Sequence, residues 1–133
     1  MPEVGQHIGP FILDRWLSST PEYSLFYAKK PEGTRTLGSA AIRILNSSHQ
    51  EERLLGDLQE DFDLLQAIEH HSFPKVYHNY LGQQAYARQW IEGVTLQELI
   101  TAHQDVKVTL DMPTILDIML ELAHALKYIH EQR

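Results

Sequence analysis

The hydrophobic period of this chain changes shortly after residue 45, and that change limits the folds open to it. Before it, three short apolar segments bounded by turn-forming residues predict β-strands: "GPFILDRWLS", "SLFYAKK" and "SAAIRIL". After it, large apolar residues recur at helical spacing, and these are Leu54, Leu58, Phe62, Leu65 and Ile68. The sequence therefore predicts a β segment that runs into an amphipathic helix.

The remaining elements follow from turn, cap and breaker residues. "KPEGTRTLG" predicts a hairpin turn, Ser47 or Ser48 is expected to cap the first helix, and Gly56 to divide it in two. Two more strands, "KVYHNYLG" and "QAYARQWI", precede two helices, "TLQELITAHQ" and a longer one that begins after Asp111 and ends near Glu131. The expected fold class is α+β, with a five-stranded antiparallel sheet, one inserted helix and two helices after it.

Composition excludes several classes of function. A length of 133 residues suggests a single domain that can bury a hydrophobic core. The net charge of −7 and the lack of a Lys/Arg cluster argue against nucleic acid or an anionic membrane as the partner. There is no cysteine, no signal-peptide pattern and no apolar run long enough to span a bilayer. A cytoplasmic location is expected.

Four motifs in order resemble the amino-terminal lobe of serine/threonine protein kinases. "AAIR" stands where that family has Val-Ala-Ile-Lys, and "EDFDLLQAIEHHSFPKVY" is similar to its helix C and the connection after it. "QWIEGVTLQELI" resembles the hinge, and "ILDIMLELAHALKYIHEQR" resembles helix E. The likeness covers residues 8–133 and implies a kinase-like lobe over residues 1–93, with helices like D and E over residues 94–133.

The resemblance gives Arg43 a role. This arginine occupies the position of the family's phosphate-pairing lysine, and Asp61, nine residues before His70, occupies that of the helix C glutamate. An Arg–Asp pair can keep the salt bridge of the family's Lys–Glu pair. It does not keep the position of the cation relative to a bound phosphate, because the arginine side chain is longer than lysine and ends in a planar guanidinium group, and aspartate is one methylene shorter than glutamate. The alternative is a strand-to-helix tie that binds no ligand.

The nucleotide-binding motifs of the family are altered here. Ser18, Thr20 and Tyr23 fall where the family has the glycines that let backbone N–H groups approach phosphates, and Arg88 falls at the gatekeeper position. By this resemblance, parts of an adenine-binding slot remain. Leu25 and Ala41 are the apolar residues above the slot, and Gln89 and Ile91 supply the hinge backbone beside it. We expect no cofactor, and ATP that binds weakly or not at all.

The histidines do not form a recognisable metal signature. His70, His71 and His78 match no zinc spacing, and no cysteine assists them. His70 falls at the position of a structural histidine of the family, whose ring bonds to nearby backbone. No metal is expected.

The last predicted helix is apolar over most of its circumference, whereas a surface helix needs one apolar face. In the family the equivalent helix is buried in the carboxy-terminal lobe. We therefore expect a protein partner or a homodimer to cover it, through an interface made of Ile118, Met119, Leu122, Leu126 and Ile129.

The sequence contains neither the His-Arg-Asp catalytic loop nor the Asp-Phe-Gly motif of kinases, so no catalytic residue is assigned. The resulting hypothesis is a catalytically inactive, pseudokinase-like signalling module that acts through protein contacts. Two alternatives stay open: an amino-terminal fragment of a longer (pseudo)kinase or multidomain signalling protein, and a non-catalytic nucleotide sensor.

Overall fold

The computed structural model describes residues 2–31, 38–46, 51–106 and 109–132. Its elements, in chain order, are β1 (His7–Ile8), β2 (Phe11–Ser19), β3 (Tyr23–Lys29), β4 (Ser39–Leu45), α1 (Glu51–Ala67), β5 (Val76–Tyr80), β6 (Ala85–Gln89), α2 (Leu96–Asp105) and α3 (Met112–Glu131). The predicted α+β class and element order are confirmed. Residues 32–37 of the expected turn and the caps Ser47 and Ser48 lie outside the described residues.

The chain divides into two compact units. The first comprises Met1–Glu69 and Pro74–Trp90, and the second comprises His70–Phe73 and Ile91–Arg133. The first unit therefore holds the sheet and α1, and the second holds α2 and α3. The domain boundary expected at residue 93 stays a prediction.

The sheet has six antiparallel strands in the order β1-β2-β3-β4-β6-β5, so the prediction of five strands was wrong by one. The extra strand is β1, which pairs with the start of β2 through a turn at Gly9. Gly9 has a φ of +55°, and a Cβ on it would lie 2.3 Å from the ring of Tyr80. Glycine is required here because only it combines that backbone conformation with so close an approach.

The two faces of the sheet carry different residues because side chains alternate along a strand. On β4, Ala40, Ile42 and Ile44 belong to a buried cluster on one face. The opposite face of β4 carries Ala41 and Arg43. The arginine in the middle of an apolar strand thus faces away from the larger cluster.

Helix α1 packs against β5 and β6 of the sheet. Its buried residues follow the predicted helical spacing, and Leu54, Leu58 and Phe62 form a second core cluster with Tyr23 and Tyr86, among others. The helix continues through Gly56 without a break, contrary to expectation. A single glycine costs a helix only about 1 kcal/mol relative to alanine, which the packing on either side offsets.

Caps define the two helices of the second unit. The Thr95 hydroxyl accepts a hydrogen bond from the backbone N–H of Glu98, and the Asp111 carboxylate accepts one from Thr114. The Thr114 hydroxyl also donates to Asp111 and lowers the pKa of that carboxyl. Across the described ranges, no helix is long and apolar enough to cross a membrane.

Candidate functional site

Arg43 and Asp61 form the ion pair that the sequence predicted. The guanidinium of Arg43 donates to the carboxylate of Asp61 across 2.7 Å, which ties β4 to α1. Their side chains are 34% and 39% exposed, so the pair is partly screened by solvent. Arg43 therefore reaches α1 from the sheet face on which Leu25 and Tyr86 are its strand neighbours.

Tyr23 completes this cluster, which sequence reasoning did not foresee. The guanidinium of Arg43 lies 4.4 Å from the centre of the Tyr23 ring, within cation–π range. The Tyr23 hydroxyl donates to the backbone carbonyl of Leu54 on α1, and burial raises the pKa of this phenol. The side chain at the third glycine position thus bridges the sheet and α1.

The turn before Tyr23 is closed by its own side chain. The Thr20 hydroxyl accepts a hydrogen bond from the backbone N–H of Tyr23, and the Thr20 N–H donates to the Tyr23 carbonyl. Two of the backbone N–H groups of this turn, those of Thr20 and Tyr23, are therefore already paired within the turn. In a phosphate-binding loop, such N–H groups have to be available to the ligand.

The cavity beside these residues has a volume of about 270 Å³ and is lined by Ser18, Ser19, Thr20, Tyr23, Ser24, Leu25, Arg43 and Arg88. Arg88 pairs with Ala41 across the strands, which places it on the same face as Arg43. Within the described part of the chain, Arg88 makes no ion pair with Asp61.

A second cluster on the first unit surrounds Arg15. Its guanidinium lies 5.2 Å from the ring centre of Tyr27 and 5.8 Å from that of Trp90, and these two rings meet edge to face at 4.7 Å. Tyr27 is the strand partner of Ala41, one of the residues that resemble an adenine slot. The ring that contacts Arg15 and Trp90 therefore belongs to the strand partner of Ala41.

The two hinge-like residues, Gln89 and Ile91, belong to different units of the chain. The backbone N–H of Gln89 donates to the carbonyl of Lys75 at 2.7 Å, and the Gln89 side chain accepts from the Lys75 N–H. Ile91 belongs to the second unit and is 60% exposed. Of the six residues assigned by resemblance to a vestigial nucleotide site, the structure brings Arg43 and Asp61 into direct contact.

We expect Mg–ATP at millimolar concentration to leave the melting temperature of this chain unchanged, because side chains occupy the glycine positions and Arg88 the gatekeeper position. Binding would stabilise the fold by about 2.7 kcal/mol at a hundredfold excess over Kd, so the melt is a sensitive measurement. Magnesium phosphate at matched ionic strength controls for salt. A rise seen with Mg–ATP alone would contradict this prediction and favour a nucleotide sensor.

The second candidate region is the surface of α3. Six of its large apolar side chains are each more than half exposed, namely Met112, Leu116, Met119, Leu120, Leu122 and Leu126. Of the predicted interface residues, Ile118 and Ile129 are half-buried instead. Four of the predicted interface residues, Ile118, Leu122, Leu126 and Ile129, line an open groove of about 620 Å³ next to Phe73.

Ser72 and Phe73, from the segment His70–Phe73, form one wall of that groove. His71 and the Ser72 hydroxyl both hydrogen bond to the carboxylate of Glu121, at 3.1 and 3.2 Å, and these bonds lower the pKa of Glu121. These bonds contribute to the stability of the fold at pH values above the ordinary carboxyl pKa. This contribution is lost as the pH falls through the lowered pKa of Glu121. The His70 ring accepts from the Ser72 N–H, as a structural histidine does.

No cluster of three or more metal-ligating side chains occurs among residues 2–31, 38–46, 51–106 and 109–132. The histidines near α3 instead contact one another and an acid. His70 stacks on His71 at 4.5 Å and meets Tyr128 at 5.0 Å. The described part of the chain thus offers carboxylate, amide and aromatic partners to its histidines.

Comparison with solved structures identifies the fold. No family model matches the sequence, and no curated protein matches it either. The kinase domain of PknI from Mycobacterium tuberculosis superposes with a TM-score of 0.70 at 17% identity, over 99% of this chain and 52% of that one. A point mutant of that domain gives 0.69, with 53% of its chain covered. The chain has a protein kinase-like fold and spans about half the length of these kinase domains.

Proposed function

We propose that this chain is a kinase-like module that acts in cytoplasmic signalling through protein contacts and does not itself transfer phosphate. The observation that carries the proposal is the row of leucine and methionine side chains exposed on α3. Leaving a large apolar side chain in water forgoes about 1.5–3 kcal/mol, so several of them on one helix favour a protein that covers them.

The chemistry of phosphate transfer supports this part of the proposal. Phosphoryl transfer depends on metal ions and on an aspartate that accepts the proton of the substrate hydroxyl. In the family these groups come from His-Arg-Asp and Asp-Phe-Gly motifs, and the 133 residues contain neither. The ion pair of Arg43 and Asp61 supplies neither a metal site nor a base.

We expect no phosphate incorporation when the purified chain is incubated with labelled ATP, Mg²⁺ or Mn²⁺, and generic protein substrates. A contaminating kinase is controlled for by an Arg43→Ala variant purified in parallel, which carries the same contaminants. Incorporation that occurs with the unmutated chain and disappears with this variant would contradict the prediction.

Contact through α3 is tested by comparing two baits in extracts of the native host. Met119→Glu with Leu126→Glu is expected to lose the proteins that the unmutated chain retains, because two carboxylates then lie in the exposed apolar row. The control, His124→Glu with Gln132→Glu, adds glutamates away from that row and is expected to retain them. Equal capture by all three baits would count against the proposal.

A second candidate function rests on the coverage of the kinase domains. Since the chain matches 52% of the PknI kinase domain, it also fits the first part of a longer (pseudo)kinase or multidomain signalling protein. In that case the α3 face is covered by the remainder of the same protein. The reading frame downstream of codon 133 in the gene distinguishes this candidate from an independent module.

A further inference from the structure

Six of the exposed residues of α3 follow the spacing of a helix-pairing seam. Steps of four and three residues alternate along one side of the helix, through Met112, Leu116, Met119, Ala123, Leu126 and His130, and all six are exposed. We call these six residues the α3 seam. Alternation of four and three is the spacing with which one helix packs its side chains into another. The spacing of the α3 seam therefore favours packing against a second helix.

Residues that flank the seam are apolar or cationic. One flank carries Ile115, Leu122 and Ile129, and the other carries Pro113, Leu120 and Lys127. The carboxylates of the helix, Asp117, Glu121 and Glu131, lie on neither the seam nor its flanks at 100° per residue. Although each copy of the chain has a net charge of −7, two copies can approach along this side without opposing carboxylates on the helix.

The seam is complementary to itself when a second copy runs in the opposite direction. In an antiparallel pair centred on residue 121, Met119 faces Ala123 of the partner subunit, and Leu116 faces Leu126 of the partner subunit. A large side chain thus meets a small one, which suits close packing. A parallel pair instead places Ala123 opposite itself and His130 opposite itself, which leaves a gap and brings two histidines together.

The area suffices for a stable pair. The six large apolar side chains exposed on α3 are Met112, Leu116, Met119, Leu120, Leu122 and Leu126. At roughly 100 Å² each, two copies would bury on the order of 1,200 Å², which is the lower end of stable, specific interfaces. The antiparallel arrangement also brings the helix dipoles into a favourable orientation.

We propose that the partner of α3 is a second copy of this chain, paired antiparallel along the α3 seam. This inference rests on the proposed function, since it names the protein that covers the exposed row. A two-fold pair needs no other gene product, and each subunit contributes the same surface. Because the remaining charge of the two subunits is repelling, the dimer is expected to tighten as the salt concentration rises.

Disulfide trapping tests the register, because the chain has no cysteine of its own. A mixture of Met119→Cys and Ala123→Cys chains is expected to form the mixed disulfide under mild oxidation, whereas neither variant forms a disulfide dimer alone. A mixture of Leu116→Cys and Leu126→Cys is expected to behave in the same way. Asp117→Cys, which lies off the seam, is the matched control and should form no disulfide-linked dimer by denaturing electrophoresis.

Sedimentation equilibrium supplies the second measurement. The unmutated chain is expected at about twice 15.4 kDa, and Met119→Glu with Leu126→Glu should raise the dimer Kd by at least about a hundredfold. A disulfide of Ala123→Cys with itself would overturn the antiparallel register. A monomer at all concentrations without mixed disulfides would overturn the pairing, while the capture of a host protein that depends on Met119 and Leu126 would leave the proposed function standing.

Discussion

Replacement of Leu58 by alanine is expected to lower the free energy of unfolding by about 2–5 kcal/mol, the range for large-to-small changes in a core. Leu58 is 1% exposed and belongs to the cluster that joins α1 to the sheet. The substitution leaves a cavity beneath α1 and keeps a residue that favours helix. Urea denaturation followed by circular dichroism measures the change.

Leu64→Ala is the matched control for this prediction. Leu64 lies on the same helix and is 59% exposed, so its truncation should change the free energy of unfolding by no more than about 0.5 kcal/mol. The difference between the two variants then reports packing of α1 rather than helix propensity. Equal effects of Leu58→Ala and Leu64→Ala would mean that α1 does not pack on the sheet.

Most of the fold was predictable because its elements repeat a pattern. Leu54, Leu58 and Phe62 are spaced for one face of a helix, and all three are buried. The strand β1 was missed since two residues, His7 and Ile8, are too few to show any alternation. Its existence depends on a turn at a glycine and on contacts with Tyr80 and Gln83, which lie far away in the sequence.

The candidate site was predictable only where the family resemblance fixed a pair of positions. Arg43 and Asp61 could be matched by counting from His70, and the structure joins them. The ring of Tyr23 under Arg43 and the stack of Arg15 on Trp90 follow from strand register, which the sequence does not specify. Side chains in these clusters come from elements that are far apart in the sequence, so no local period indicates them.

The apolar surface of α3 shows a similar limit. Its sequence predicts an apolar helix, but it does not tell which part of so wide an apolar face another segment covers. The segment His70–Phe73 packs beside α3 and leaves Ile118 and Ile129 half-buried, whereas Met119 and Leu126 remain exposed. The exposed side is thus displaced from the centre of the apolar face, and only tertiary packing determines that displacement.

The ion pair of Arg43 and Asp61 is expected to show a coupling energy of about 1–3 kcal/mol in a double-mutant cycle with Arg43→Met and Asp61→Leu. Removal of one partner from a fully buried pair costs about 3–5 kcal/mol, and the partial exposure of both side chains reduces that figure here. The ring of Tyr23 raises the coupling because it shields one side of the guanidinium from water. Denaturant unfolding of the four proteins measures it.

An exposed pair of the same sheet provides the reference for that cycle. Lys29 and Asp14 lie 3.4 Å apart with side chains 58% and 41% exposed, so their coupling should not exceed about 0.2–1 kcal/mol. A third variant, Tyr23→Leu, removes the ring and should lower the coupling of Arg43 and Asp61 towards that reference value. Coupling of Arg43 and Asp61 no larger than that of Lys29 and Asp14 would mean that the pair does not tie α1 to the sheet, and α1 would then depend on its apolar contacts alone.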